Sequence, residues 1–202
     1  MKTILIASIF ALFSFSSIAQ SALSTTLRHQ FRIGGGAIFV GTGDMIGATY
    51  RNEYEYAASK RFSLAASVNL SNAGREMSFG ISEKTFRRVK SFTTIDANAL
   101  FGLIDTQHFK LKIGGGLSLK REVSNDPSFV GFRSVPPQTD PSGAIIDYRF
   151  SQSLRTWSAG WTVPVSVELH FNRWSYQLRP ALHSFADGEI NTSANLGVGY
   201  KF

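Results

Sequence analysis

One pattern constrains this 202-residue chain above all others. In stretch after stretch, apolar residues recur at every second position with small or polar residues between them. The last eight residues show it. Leu196, Val198, Tyr200 and Phe202 fall on one face, and Asn195, Gly197, Gly199 and Lys201 fall on the other. A period of two is the signature of a strand with one apolar face. The same alternation marks strands over about 28–40, 45–57, 61–71, 91–103, 108–121, 154–170 and 174–184, and the last strand closes at Phe202. In the first of them Phe31, Ile33, Ala37 and Phe39 oppose Arg28, Gln30, Arg32, Gly34 and Gly36.

The start of the chain reads differently. Lys2 precedes an apolar run from Ile4 to Phe15, and the small residues Ser17 and Ala19 follow. That is the layout of a secretory signal peptide over 1–19, with a short lead-in over 20–26 and one domain over 27–202. The apolar run is shorter than the roughly 20 residues of a helical span, and no later segment comes near one. A membrane form of this chain must therefore be a closed barrel, which pairs every backbone group without helices. The absence of cysteine excludes disulfides, cysteine-bound zinc and lipoprotein processing. Although the net charge is +7, export argues against nucleic acid as the partner.

The C-terminal octet resembles the closing strand of bacterial outer-membrane β-barrels, which ends polar-x-Gly-x-x-aromatic-x-aromatic. Asn195, Gly197, Tyr200 and Phe202 match that pattern. The resemblance implies an all-β fold, an eight-stranded antiparallel up-and-down transmembrane β-barrel of the OmpA and OmpX type. It implies location in the cell outer membrane, with those four residues as the assembly signal read by the barrel-assembly machinery. Outer-membrane lipid and lipopolysaccharide, whose phosphates suit the basic charge, are the other implied partners.

Three connections, at 58–61, 104–108 and 171–173, are short and lie on one side, the expected periplasmic side. The long ones, 72–90 and 122–150, are expected as surface loops. The first carries Arg75, Lys84, Arg87, Arg88 and Lys90 against Glu76 and Glu83; a solvated loop is slightly the better reading, with contact to anionic headgroups or a surface polyanion as the alternative. After each short turn a basic residue and an aromatic follow, as in Arg61-Phe62, His108-Phe109 and Arg173-Trp174. These read as an aromatic girdle. Alternation alone does not say which face is outside, since a soluble barrel of the lipocalin type turns its apolar face inward. The terminal signal, the girdle and the one-sided loops favour the inverted arrangement.

With the polar face inward, a register follows. The hairpin at Gly41–Asp44 pairs Val40 with Met45, which sets Arg32 opposite Glu53 and Gln30 opposite Glu55. Lys112, Glu168 and Arg179 fall at similar height. The expected lumen cluster is Arg32, Lys112 and Arg179 against Glu53, Glu55 and Glu168, balanced in sign. A swap of Arg32 and Glu53 is then expected to preserve the pair. No catalytic, metal or cofactor set emerges. His183 and Ser184 are adjacent and point to opposite faces, and the four histidines lack ligand spacing. The glycine triplets at 34–36 and 114–116 lack the lysine and helix of a phosphate loop; they suit a curved sheet with a crowded lumen.

The function expected is therefore a structural or surface-interaction role without enzymatic activity. A lipid-modifying enzyme and a narrow pore or hydrophobic-ligand channel are the alternatives. Deletion of Phe202 should lower the yield of heat-modifiable protein in the outer membrane, read by gel mobility of unboiled membranes. A normal folded yield would contradict the assembly signal.

Overall fold

The computed structural model describes residues 28–41, 44–78, 85–125, 127–134, 144–150 and 154–202. The expected signal peptide and lead-in lie outside them. Ten strands follow in order. They are β1 His29–Val40, β2 Met45–Ala57, β3 Phe62–Ser78, β4 Thr85–Asp105, β5 Phe109–Asn125, β6 Pro127–Ser134, β7 Ala144–Phe150, β8 Leu154–Phe171, β9 Trp174–Phe185 and β10 Ile190–Lys201. Eight of them close a barrel in the order β1-β10-β9-β8-β5-β4-β3-β2, every pairing antiparallel, and β6 and β7 form a separate hairpin. The wall is closed by β10 against β1, from Gln30↔Lys201 to Val40↔Asn191. Beyond the strand end the seam continues, because Phe202 N–H donates to His29 O at 2.9 Å.

The β1–β2 register is the expected one, with Val40↔Met45, Arg32↔Glu53 and Gln30↔Glu55. The orientation of the faces is also settled. Leu117 is 74% exposed and Leu196 67%, while Arg32 is 1% and Arg179 0% exposed. The apolar face is outside and the charges are inside, the reverse of a lipocalin-type barrel. Exposed Phe62, Phe171, Trp174 and Tyr176 stand around the end that holds His29 and Phe202, here called the base. That is where the girdle was expected.

Two expectations about loops need correction. The stretch 72–90 is not an irregular loop: β3 runs on to Ser78 and β4 starts at Thr85, paired from Ala73↔Lys90 to Ser78↔Thr85. Within 122–150, β5 continues to Asn125 and β6 pairs with β7. The sequence there has too few outward apolar residues to show alternation, yet backbone hydrogen bonding extends the ladder beyond the apolar band. The wall has irregularities as well. A bulge lies between Gly102 and Ile104. Ladder pairs are interrupted on both sides of β8 near buried Pro164, which has no N–H to donate.

The glycine triplets answer to close approach of neighbouring strands. A Cβ on Gly36 would overlap the carbonyl of Ala194, and one on Gly116 would overlap that of Ala97. The middle glycines have room: the nearest atom to a Cβ is Thr49 O at 3.4 Å for Gly35 and Thr162 O at 4.0 Å for Gly115. Gly36→Ala and Gly116→Ala should each destabilise the barrel by about 1–3 kcal/mol, as overpacking does. Gly35→Ala and Gly115→Ala should be close to neutral. Urea unfolding in micelles distinguishes the two classes.

Candidate functional site: the charged lumen

Successive strands point alternate residues inward, so the lumen is built from one residue in two of each strand. Near the base this places the predicted cluster. From β1, Arg32 reaches Glu53 of β2 at 2.8 Å, Glu168 of β8 at 2.9 Å, and Glu55. From β5, Lys112 lies 2.6 Å from Glu55 and 2.9 Å from Glu168. From β9, Arg179 Nη1 is 2.6 Å from Glu53 Oε2, yet no N–H of this guanidinium is aligned with a described acceptor. That contact is Coulombic rather than a directed hydrogen bond, and its distance is the better guide to the attraction. All six predicted residues thus meet in one network.

The sequence reading missed one member. Arg51 of β2 also pairs with Glu53. The count becomes four cations, Arg32, Arg51, Lys112 and Arg179, against Glu53, Glu55 and Glu168. Arg51 shares the inward parity of Glu53 and sits two residues away, a signal that was present. His170 adds a ring nitrogen 3.1 Å from Glu168.

Above this lies a neutral polar layer around Asp96. Ser118 and Asn69 donate to its carboxylate at 2.6 and 2.7 Å, and His183 Nε2 is 3.5 Å away. His183 is buried in the lumen and Ser184 lies on the other face, so the two do not act together. Among the described residues no group of three metal-type ligands gathers.

The end away from the base closes differently. Ile38, Val40, Met45, Ala73 and Phe92 form a buried apolar cluster inside the barrel. Ile38 and Val40 share the parity of Arg32, so their apolar character at the lumen face was a readable signal that went unread. Beside them a second ion network gathers. Lys120 lies 3.1 Å from Glu122, 3.0 Å from Asp187 and 3.1 Å from Glu189, and its ammonium sits 4.6 Å from the Phe185 ring centroid. Lys90 lies 3.1 Å from Glu122 and 2.5 Å from Glu189. Lys90 therefore turns its charge inward onto carboxylates. Arg75 pairs with exposed Asp44 at 3.2 Å. Lys84 lies outside the described residues.

In the C-terminal octet, Asn195 is buried in the lumen, Gly197 is half-buried, and Tyr200 and Phe202 are exposed on the outer surface. Tyr200 packs edge-on against Trp174, ring centroids 5.2 Å apart, and Phe202 stacks on His29 at 5.8 Å.

A closed eight-stranded wall, apolar outside and ionic inside, can now be set beside known proteins. No protein-family model matches the chain, and no curated protein matches its sequence. Solved structures do match. The attachment invasion locus protein Ail of Yersinia pestis, in complex with the heparin analogue sucrose octasulfate, superposes with a TM-score of 0.56 at 13% identity. The alignment covers 87% of this chain and 98% of that one. Neisserial surface protein A gives 0.55 at 16% identity, covering 86% and 97%. The outer membrane protein OprG of Pseudomonas aeruginosa gives 0.54 at 11%, covering 87% and 97%. The chain has the fold of the small outer-membrane β-barrels. In outer-membrane barrels the end with the short turns faces the periplasm; in this chain the short turns lie at the base, and the apolar cluster with its ion network lies at the opposite end.

Two predictions follow from the networks. The geometry overturns the expected rescue by charge swap. A glutamate at 32 would face Glu55 and Glu168, and an arginine at 53 would face Arg51 and Arg179. Glu53→Arg with Arg32→Glu should therefore be no more stable than Glu53→Arg alone in urea unfolding. Glu53→Gln, which strips three guanidiniums of a shared partner, should cost about 3–5 kcal/mol, less where lumen water relieves it.

The second concerns the turn at 186–189. Burial alone would raise the Glu189 carboxyl, but the hydrogen bond from Lys90 and the charge of Lys120 outweigh it and hold it below the usual carboxylate range. Asp187 is lowered against burial in the same way, by its hydrogen bond with Lys120. A folded-state pKa below the unfolded one gives stability that is present at neutral pH and lost as pH falls through the lowered value. The chain has no cysteine, so Ala186→Cys can carry a single fluorophore. Its anisotropy should stay level from neutral pH downward and fall only once the pH drops below the usual carboxylate range.

Proposed function

We propose that this outer-membrane barrel is a closed, non-conducting scaffold that acts structurally or by presenting its external strands and turns to partners at the cell surface. The observation that carries this reading is the lumen itself. Above its mouth at the base, it is occupied by successive layers of side chains: the network on Arg32 and Glu53, the layer on Asp96, the apolar cluster on Phe92 and the network on Lys120. An eight-stranded barrel is only wide enough for side chains to fill it. Paired ions leave no continuous row of free charge along which a solute could travel, and an unpaired ion there would be costly.

The alternatives draw less support. A lipid-modifying enzyme needs a nucleophile, a base and an orienting carboxylate on the lipid face. His183 instead points into the lumen toward Asp96. A hydrophobic-ligand channel needs an apolar passage, whereas the apolar lumen cluster on Ile38 and Phe92 lies above buried Arg32, Arg51 and Arg179. Assembly through the C-terminal octet, insertion among lipopolysaccharide, and the lead role of the external surface belong to the same proposal.

In planar bilayers at pH 7 the refolded protein should show no sustained conductance above the lipid baseline. Lys120→Ala combined with Phe92→Ala, which removes both elements of the cap, should still leave the basal network in place and produce at most brief events. Steady ohmic conductance of the unaltered protein would overturn the closed reading.

A further inference from the structure

The periplasmic end holds a cavity that the lumen network does not fill. It measures about 450 Å³ and lies between the β2–β3 turn and the β4–β5 turn. Arg28, Lys60, Arg61, Lys110 and Lys112 line it, with the acids Glu55 and Asp105. Both acids are already engaged, Glu55 by Lys112 at 2.6 Å and Asp105 by Lys110 at 2.8 Å. Arg28, Lys60 and Arg61 make no ion pair with a described residue. Neither does Lys201, which lines a smaller adjoining hollow with Arg28, Lys110 and Lys112 and with Glu55 and Glu168, both already paired with Lys112 and Arg32. Elsewhere in the lumen the buried cations lie against carboxylates, so this excess of free positive charge sets the vestibule apart.

The cations are held by turns rather than left on loose chain. Ser59 N–H donates to Phe62 O at 3.0 Å, and Phe62 N–H donates to Ser59 Oγ at 3.0 Å, with Lys60 and Arg61 at the tip between them. Gly102 N–H donates to Arg61 O at 2.7 Å and ties that tip to β4. The space comes from small residues. Gly102 lies on the lining, and a Cβ added to it would meet nothing closer than Arg61 O at 3.6 Å.

The walls are of two kinds. One is the charged mouth of the lumen. The other contains Phe62 and Ile104, which belong to the apolar outer surface and are 40% and 44% exposed. The cavity thus opens where the lumen mouth meets the lipid-facing wall. A ligand that satisfies both walls is an anion joined to a hydrocarbon tail. Arginine and lysine together bind phosphate, the arginine by a fork of N–H donors and the lysine as a point charge.

We propose that this vestibule binds the phosphate of an anionic phospholipid from the periplasmic leaflet, with the acyl chains lying along Phe62 and Ile104. The proposal rests on the outer-membrane reading, which places this end at that leaflet. A free phosphate would meet the same cations and leave the apolar wall unused.

The test uses the full mature chain refolded in zwitterionic micelles and titrated calorimetrically with short-chain phosphatidylglycerol. Glycerol 3-phosphate and short-chain phosphatidylcholine are run in parallel. Phosphatidylglycerol should bind saturably and at least about tenfold more tightly than either. Lys60→Gln with Arg61→Gln, on an exposed turn, should weaken it at least about fivefold. Gly102→Leu, which fills the cavity, should do the same, while Arg75→Gln at the opposite end should leave it unchanged. Equal binding of phosphatidylcholine, or unaltered affinity in both vestibule variants, overturns the proposal. Equal binding of glycerol 3-phosphate overturns the lipid as the source. Heat-modifiable mobility of the same samples separates the two levels: a folded barrel without selective binding sinks the vestibule alone, and a chain that never folds in micelles sinks the membrane reading with it.

Discussion

Closure of the hydrogen-bonded wall is the constraint on which the rest depends. In hydrocarbon an unpaired N–H or C=O has no water to turn to, so a sheet can stand there only if its last strand returns to its first. Here β10 meets β1 along eleven residue pairs, and Phe202 carries the seam past the strand end to His29. Once the wall is closed, the two faces of every strand acquire different solvents. One must be apolar along its whole belt, and the other must satisfy itself within a narrow interior.

That interior explains the density of ions. Arg32, Arg179, Glu53 and Glu168 are almost wholly buried, each with an opposite charge of the network within reach. Such a network is a weak source of net stability, since desolvation offsets much of the attraction. Its stronger effect is on register. A shift of β1 by one residue would carry Arg32 to the outer face and leave Glu53 with two of its three cations, Arg51 and Arg179, with an isoleucine or phenylalanine in the lumen. The ions therefore penalise a one-residue slip that would exchange the two faces.

The two ends of the lumen use different devices. At the end away from the base, apolar side chains from β1, β2, β3 and β4 meet inside the wall, and Lys90 and Lys120 pair with carboxylates of the turn at 186–189. At the base, small residues leave space and cations outnumber the acids that could neutralise them.

The alternation, the short turns and the polar parity were all legible along the chain, because strand geometry is a local property with a period of two residues. So was the β1–β2 register, since the short hairpin at Gly41 to Asp44 sets the pairing of the strands it joins. The six charges of the basal cluster could be placed by the same counting. Other features were decided only by the folded wall. That β3 and β4 continue to Ser78 and Thr85 follows from backbone pairing, which leaves no mark in side-chain pattern. That Arg51 joins Glu53, that Arg32 serves three carboxylates at once, and that Lys90 turns inward depend on distances across the lumen between strands far apart in sequence. Alternation assigns a side chain to a face; only closure of the barrel determines which other side chains share the space it enters.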